Sequence, residues 1–286
     1  MGAQVRLKKI TTTILLSATA LTGSVFAQTT TTEPESLLNF NVGFVSDYRY
    51  RGISQTARKP ALQGGIDYTD KSGFYVGNWN SNIEWIKDAA DTSVGQSSRG
   101  PIEMDFYAGY KNAFNELIGY DAGVLQYYYP TSNLGGVTNK PQTGTVRGNY
   151  SNAMTTELYG AVNIGAFAIK LSDSVTNLFG YVGTKNSMYV DLSYSFDFGD
   201  GLTSIVHYGN QSMKANNASV VTSGVTDYSD YSMSLNKDFD GLVVSATMIA
   251  NDWSRRGSAH INDTLPGSGA TNIGASTVVL GVKKNF

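Results

Sequence analysis

The most restrictive feature of this sequence is a rhythm that begins after residue 36. Segments of about ten residues alternate apolar and polar side chains, as strands with one apolar face do. The connectors between these segments are short and long in turn. This order is typical of a transmembrane barrel with turns on one rim and loops on the other. The short connectors lie at 70–73, 112–115, 165, 199–201 and 238–241, and the long ones lie near 51–60, 82–100, 130–151, 174–186, 212–226 and 251–272.

Two segments show the alternation most plainly. In 188–198 every even-numbered residue is apolar or aromatic, whereas the odd-numbered residues are Tyr, Asp and Ser. In 102–111 the even-numbered residues again form the apolar face. In the first segment the same alternation places Tyr48 and Tyr50 on the lipid-facing side. Further strands are predicted at 38–51, 61–69, 73–81, 116–128, 153–163, 166–173, 202–210, 227–237, 242–250 and 274–286.

The predicted fold class is all-β: a transmembrane, antiparallel, up-and-down β-barrel of about twelve strands, with short periplasmic turns and long extracellular loops. In lipid every backbone N–H and C=O must be paired internally, so the sheet has to close on itself. The alternative is a soluble sandwich, which would bury its apolar face in a core. The hairpin connections of a sandwich need not alternate in length.

The N-terminal residues are predicted to lie outside the fold. A basic start precedes an apolar run at 10–21 and small residues at 25–27, which indicates a secretory signal peptide cleaved before Gln28. A membrane anchor is the alternative, but the run is short and rich in Thr. The predicted organisation is a signal peptide at 1–27, a short periplasmic segment at 28–35 and a barrel at 36–286, exported by a Sec-type route to the outer membrane of a Gram-negative bacterium.

Composition excludes several classes of partner. Removing residues 1–27 lowers Lys+Arg from 21 to 18 against 23 Asp+Glu, a net charge of about −5. This acidity disfavours a nucleic-acid partner. The chain has no Cys, hence no disulfide framework or thiolate metal site. We predict no cofactor and no metal. The aromatic content of 12%, with 18 Tyr, is what two interfacial girdles require.

The last segment carries a separate signal. Its alternate residues are apolar and it ends on an aromatic side chain, which resembles the sequence that outer-membrane proteins present to their barrel-assembly machinery. Lys284 departs from this pattern, although a Lys near the interface is able to snorkel. The residues assigned to this C-terminal assembly signal are Val278, Leu280, Val282 and Phe286.

Charged residues on the polar faces are predicted to line the lumen. They have two interpretations, a mutual ion-pair network that stiffens the interior or a charged constriction that selects solutes. Acids outnumber bases among them, which favours cations or neutral solutes. The predicted lining residues are Asp47, Arg49, Arg51, Asp67, Glu103, Asp105, Lys111, Glu157, Lys170, Asp191 and Asp197.

Three elements of the first segments resemble a known family. They read SDYRYRGISQT at 46–56, PALQGGIDY at 60–68 and SGFYVGNW at 72–79. These sequence elements are similar to those of the TorF family of outer-membrane porins, and the similarity covers roughly the first quarter of the mature chain. The resemblance implies an outer-membrane β-barrel and a suspected pore, and it implies no established substrate.

Two functions from different classes remain open at this stage. The first is an outer-membrane porin that allows passive diffusion of small hydrophilic solutes through a narrow, water-filled barrel. The second is a non-conducting barrel with a structural role or a loop-mediated binding role. An enzyme is not predicted, because neither His207 nor His260 stands in a recognisable catalytic motif. The predicted partners are outer-membrane lipids, the barrel-assembly machinery during biogenesis and small hydrophilic solutes.

Overall fold

The computed structural model describes residues 37–90, 99–134, 151–214, 227–252 and 272–286. Twelve antiparallel strands close into one barrel, and each pairs with its neighbours along the chain. Two shorter strands, β2 (Arg49–Tyr50) and β3 (Ile53–Ser54), form a separate hairpin. The barrel strands are β1 (Leu37–Val45), β4 (Ala61–Thr69), β5 (Phe74–Asn82), β6 (Ile102–Ala113), β7 (Ile118–Tyr128), β8 (Thr155–Ile164), β9 (Phe167–Ser174), β10 (Met188–Asp197), β11 (Leu202–Ser212), β12 (Tyr228–Phe239), β13 (Leu242–Asn251) and β14 (Thr277–Asn285).

The predicted fold class is confirmed, as a closed antiparallel barrel with the predicted strand number. The largest departure is in the first strand, which was expected to run to Arg51. The strand β1 ends at Val45, where its neighbour β4 begins at Ala61. Past that register β4 offers no partner, and after Ser46 N donates to Leu280 O on β14 the chain leaves the barrel wall.

The two rims differ in the predicted way. The strands at one rim are joined by the connectors 70–73, 114–117, 165–166, 198–201 and 240–241, and all longer connections leave from the other rim. Asp240 and Gly241 have φ of 56° and 82°, as a two-residue type I′ hairpin requires. We call these the short-turn rim and the long-connection rim.

The outer surface of the barrel is apolar. Side chains such as Phe40, Leu158, Met248 and Leu280 each expose 45% or more of their area. A water-soluble protein would bury such residues, whereas a barrel that crosses a membrane presents them to lipid. Aromatic rings near the short-turn rim contact one another, as in an interfacial girdle. The contacting pairs are Phe74 with Tyr110, Phe114 with Tyr120, and Tyr194 with Phe196.

The last strand closes the barrel against the first. Phe286 N donates to Phe40 O at 2.9 Å, and Phe40 N donates back to Phe286 O at 3.3 Å. The outward-facing Lys284 extends its Nζ to Asp240 O at 2.9 Å on the short-turn rim. This contact directs the Lys284 ammonium towards the short-turn rim, the direction that snorkelling requires.

The helical content is small. A short helix, α1 (Trp85–Ala90), and a 3-10 turn (Leu178–Gly180) lie in the long connections. In the ranges given above, none of the helices has the length and apolarity that a membrane crossing requires. A buried apolar cluster sits inside the barrel towards the long-connection rim, made of Tyr48, Ala61, Trp79, Ile83, Ile86, Tyr127, Tyr129, Leu134 and Ala153.

Candidate functional site in the barrel lumen

Residues 46–60 connect β1 to β4 and fold into the barrel, and we call them the inner segment. Its hairpin, β2–β3, turns at Arg51 and Gly52, whose φ values are 45° and 79°. Both values suit a type I′ turn. A residue other than Gly pays about 1 kcal/mol for this conformation. The contacts of the Arg51 side chain must therefore hold the turn in place.

Asp47 organises the base of the inner segment. Its carboxylate accepts hydrogen bonds from Ser54 Oγ at 2.6 Å and from Arg49 Nε at 2.7 Å. Asp47 and Arg49 are both buried, with 5% and 0% of their area exposed. This carboxylate thus stiffens the segment from within.

Arg49 anchors the inner segment to the connection between β13 and β14. Its Nη1 donates to Ile273 O at 2.8 Å and to Ala275 O at 3.1 Å, and also to Gly52 O at 3.1 Å. Burial lowers the pKa of the Arg49 guanidinium from its ordinary value, and the Asp47 carboxylate opposes that shift. The group remains a cation at neutral pH, since free Arg loses its proton only far above it.

Arg51 reaches across the lumen from the tip of the hairpin. Its Nη2 donates to both carboxylate oxygens of Glu157 on β8, at 2.9 and 2.8 Å, and its Nη1 donates to Gln211 on β11 at 2.5 Å. Its guanidinium lies 4.1 Å from the ring centroid of Tyr189 on β10. Burial disfavours the charged form of Arg51, but Glu157 raises its pKa well above the ordinary value. A bidentate pair of this kind is strong and directional.

Tyr48 and Tyr50 point into the barrel, so the prediction that they face lipid is wrong. Tyr48 donates its hydroxyl to Glu103 at 2.5 Å and packs edge-on against Trp79. Tyr50 packs against Tyr127, with 2.8 Å between their hydroxyl oxygens. The physical reason is that β1 ends before them, so the strand alternation no longer fixes the direction of their side chains.

Tyrosine rings in the middle of the lumen lie against the wall. Each ring covers an inward-facing Gly on the neighbouring strand, and a Cβ at that Gly would collide with the ring. Aromatic side chains often cover strand glycines in this way. The rings therefore leave the centre of the lumen free. The pairs are Tyr107 on Gly77, Tyr75 on Gly109 and Tyr159 on Gly123.

These tyrosines are held by lumenal carboxylates. Tyr107 donates to Asp67 at 2.5 Å, and Tyr75 donates to Asp121 at 2.6 Å. The hydroxyls of Tyr75 and Tyr159 also contact each other. These two sets of contacts together extend along the wall from β4 to β8.

Two lysines extend over the same wall. Lys111 Nζ lies 5.2 Å from the ring centroid of Tyr75, and Lys170 Nζ lies 4.2 Å from that of Tyr159. Both distances suit cation–π attraction. The lysines are thus held at the wall together with the rings.

The opposite wall carries small polar residues together with a few apolar ones. Between it and the tyrosine wall lies a cavity of about 510 Å³. The cavity extends from Arg49 and Arg51 of the inner segment to residues at the short-turn ends of the strands, such as Thr69 and Asp238. Its small residues are Asn39, Asn41, Thr203, Ser232, Ser234, Asn236, Ser245, Thr247 and Gly281, and the apolar Ile205, Val243, Ile249 and Val279 lie among them.

His207 lies between two carboxylates of this cavity. Its Nε2 is 3.4 Å from Asp191 and its Nδ1 is 3.6 Å from Asp230. Tyr189 donates to Asp230 at 2.9 Å. The other His, His260, lies outside the described residues.

Of the eleven predicted lumenal residues, three do not border the cavity. Asp47 is enclosed within the inner segment, and Asp197 is exposed at the short-turn rim, where it accepts from Gly199 N at 2.8 Å. Glu103 is closed off by Tyr48 and Tyr129, which donate to it at 2.5 and 2.8 Å. The remaining predicted residues border the cavity: Arg49, Arg51, Asp67, Asp105, Lys111, Glu157, Lys170 and Asp191.

Several lumenal charges were missed in the sequence. Asp121 falls in a segment whose two faces both look mixed, because Leu125 shares the face of Asp121 while Gln126 stands on the more apolar face. Strict alternation through β11, β12 and β14 would have found the rest. The missed residues that border the cavity are Asp121, His207, Asp230, Asp238 and Lys283.

A family model described as "Bacterial protein of unknown function (Gcw_chp)" matches residues 29–286. The chain belongs to the Gcw_chp family. The TorF name inferred from the first strands is a finer assignment, and it stays a prediction. No curated protein matches the Gcw_chp chain.

Among solved structures, the NanC porin is 11% identical to this Gcw_chp chain, with a TM-score of 0.49 over 87% of this chain and 99% of that one. The KdgM porin is 10% identical, with a TM-score of 0.43 over 87% and 98%. The outer-membrane channel DcaP of Acinetobacter baumannii is 10% identical, with a TM-score of 0.37 over 88% and 97%. The function of the Gcw_chp chain has to be argued from its own geometry.

Proposed function

We propose that this protein is an outer-membrane channel through which small hydrophilic solutes diffuse passively. The observation that carries the proposal is a cavity of about 510 Å³, lined by many charged and polar side chains, inside a closed barrel whose outer face is apolar. An apolar belt stabilises the barrel in lipid, and a polar lumen offers solutes a path that lipid does not.

The inner segment sets the width of the proposed path. It crosses the barrel and is tied by Arg51 to β8 and β11 and by Arg49 to the β13–β14 connection. Barrel diameter grows with strand number, and a barrel of this strand number leaves little room beside such a segment. The channel therefore selects small solutes.

The decisive experiment is single-channel recording of the mature protein in a planar bilayer. Discrete conductance steps are expected, and they should be smaller than those of porins with sixteen or more strands. The matched variant replaces residues 46–60 by a tight Asn-Gly turn, which is feasible because Val45 and Ala61 are paired neighbours. Larger steps from this variant would identify the inner segment as the constriction.

A second candidate is a non-conducting barrel, and the burial of the inner segment favours it. Arg49, Arg51 and Glu157 are buried and paired, as in a closed lumen. A silent bilayer from protein that keeps heat-modifiable gel migration would select this candidate. Steps from the variant lacking 46–60, with none from the intact chain, would identify the inner segment as the plug.

The biogenesis of the barrel is part of the same proposal. Residues 1–27 would direct export and be removed, and Phe286 with the outward-facing Val278, Leu280 and Val282 would serve barrel assembly. N-terminal sequencing of protein from the outer-membrane fraction tests the first point. Loss of membrane-inserted barrel on removal of Phe286 tests the second.

A further inference from the structure

We propose that the lumen contains a binding site for small organic ammonium ions, centred on Asp105. The inference deepens the proposed function, on which it rests for access of solutes to the lumen. It names the class of solute that the cavity retains.

Asp105 is a buried carboxylate without a counterion. Only 3% of its area is exposed, and its Oδ1 has no hydrogen-bond partner. In the part of the chain that the structure describes, it takes part in no ion pair. A buried ionised carboxylate is costly unless it is paired, so a positively charged partner would stabilise the ionised form of Asp105.

The two acids near Asp105, Glu103 and Glu157, already have hydrogen-bond donors. Glu103 stands two residues earlier on β6 and accepts from Tyr48 and Tyr129. Glu157 is occupied by Arg51 through both carboxylate oxygens. Both carboxylates add negative charge near Asp105, and neither donates a hydrogen bond to it. Of these three acids, Asp105 is therefore the one that lacks both a hydrogen-bond donor at Oδ1 and a positively charged partner.

Aromatic rings frame Asp105 on both sides. In the sheet register, Trp79 of β5 and Tyr127 of β7 stand directly opposite Asp105. Such cross-strand neighbours have Cβ atoms about 5 Å apart. Tyr107, the next inward residue on β6, borders the same cavity. A carboxylate framed by aromatic faces is a site that suits an organic ammonium, which gains cation–π attraction as well as charge pairing.

The chemistry of the site discriminates against metal ions. A divalent metal requires several oxygen or nitrogen ligands. Among the described residues, no group of three or more His, Cys, Asp or Glu is arranged to hold one. An organic cation needs a single counter-charge and apolar walls, and the cavity of about 510 Å³ has room for one of choline size.

The test is calorimetric titration of choline into the mature protein folded in detergent micelles. Saturable binding is expected, and the neutral tert-butyl analogue of choline, in which carbon replaces the charged nitrogen, should bind at least about tenfold more weakly, a difference of about 1.4 kcal/mol. The variant Asp105→Asn keeps the shape of the side chain and should lose choline binding by a similar factor.

The matched control is Asp121→Asn, which removes the same charge from the same cavity at a carboxylate held by Tyr75. Heat-modifiable migration confirms that each variant is folded. If both variants weakened choline binding equally, the effect would come from the lumenal charge in general, and the proposed site would be overturned. Absence of choline binding to the intact protein, or unchanged binding in Asp105→Asn, would also overturn it. Binding requires no ion flow, so choline binding with a silent bilayer would support the site while refuting the channel.

Discussion

At the residue scale, the lumen is governed by a few buried polar pairs. The ion pair between Arg51 and Glu157 holds a strained turn residue against the barrel wall. Contacts between a Tyr ring and a Gly keep large side chains out of the centre. Each of these two kinds of contact involves only a pair of residues, so single substitutions test them.

Breaking the buried ion pair should be costly. Glu157→Gln leaves the Arg51 guanidinium buried without its counter-charge, and we expect a loss of about 3 kcal/mol or more in the free energy of unfolding. The measurement is urea unfolding in lipid vesicles. The exposed pair between Lys59 and Glu84 is the contrast, because Lys59→Ala should change stability by less than about 0.5 kcal/mol. Equal effects of the two variants would contradict this account.

The close contact of Tyr107 with Gly77 gives a second prediction. In Gly77→Ala the new Cβ collides with the Tyr107 ring, so we expect a loss of about 1–3 kcal/mol and a ring displaced into the lumen. Equilibrium unfolding measures the first effect and single-channel conductance the second. Gly160→Ala is the matched control, since its Cβ meets nothing within 4 Å. A Gly77→Ala variant as stable as the control would refute the contact.

At the element scale, the inner segment and the barrel wall have separate roles. The hydrogen bonds between β1 and β4 run from Leu37 paired with Thr69 to Val45 paired with Ala61, with no contribution from residues 46–60. The pairing of β1 with β4 is therefore complete without the inner segment, whose Ser46 adds two hydrogen bonds to Leu280 of β14.

The barrel is thus expected to survive removal of the inner segment. Replacing residues 46–60 with a tight turn should preserve β-sheet circular dichroism and heat-modifiable migration, while stability falls because buried contacts of Tyr48 and Arg49 are lost. Lys59→Ala, an exposed change in the same segment, serves as the control. Failure of the shortened protein to form a barrel would mean that the inner segment is needed for closure.

At the scale of the whole molecule, charge is distributed unevenly. Of the described residues that border the cavity, seven are Asp or Glu and five are Lys or Arg. The outer face presents apolar side chains to lipid. A lumen with excess negative charge concentrates cations.

Ion selectivity should follow single lumenal charges. Lys283→Gln should raise the ratio of cation to anion permeability on the order of twofold, since a unit charge ~8 Å away in water is worth ~0.5 kcal/mol. Reversal potentials in a salt gradient measure this ratio. The neighbouring Lys284 faces outward and contacts Asp240 O, so Lys284→Gln should leave the ratio unchanged. The same shift in both variants would place Lys283 outside the conducting path.

The sequence by itself determined the barrel, because membrane strands have period two and connectors that sort by rim. These local rules placed most strand ends within a few residues and gave β4 its observed bounds, Ala61–Thr69. They also placed Asp67, Lys111 and Asp191 on the lumenal face. Such information lies within each strand and needs no knowledge of distant residues.

Only the tertiary structure decided what fills the lumen. The inward fold of the inner segment depends on partners far away in sequence, such as Glu157 and Gln211 for Arg51. The missing partner of Asp105 likewise appears only when neighbouring strands are in register. Alternation gives the direction of a side chain while a strand lasts. The contacts that end a strand, pair a charge or leave it unpaired depend on closure of the whole barrel.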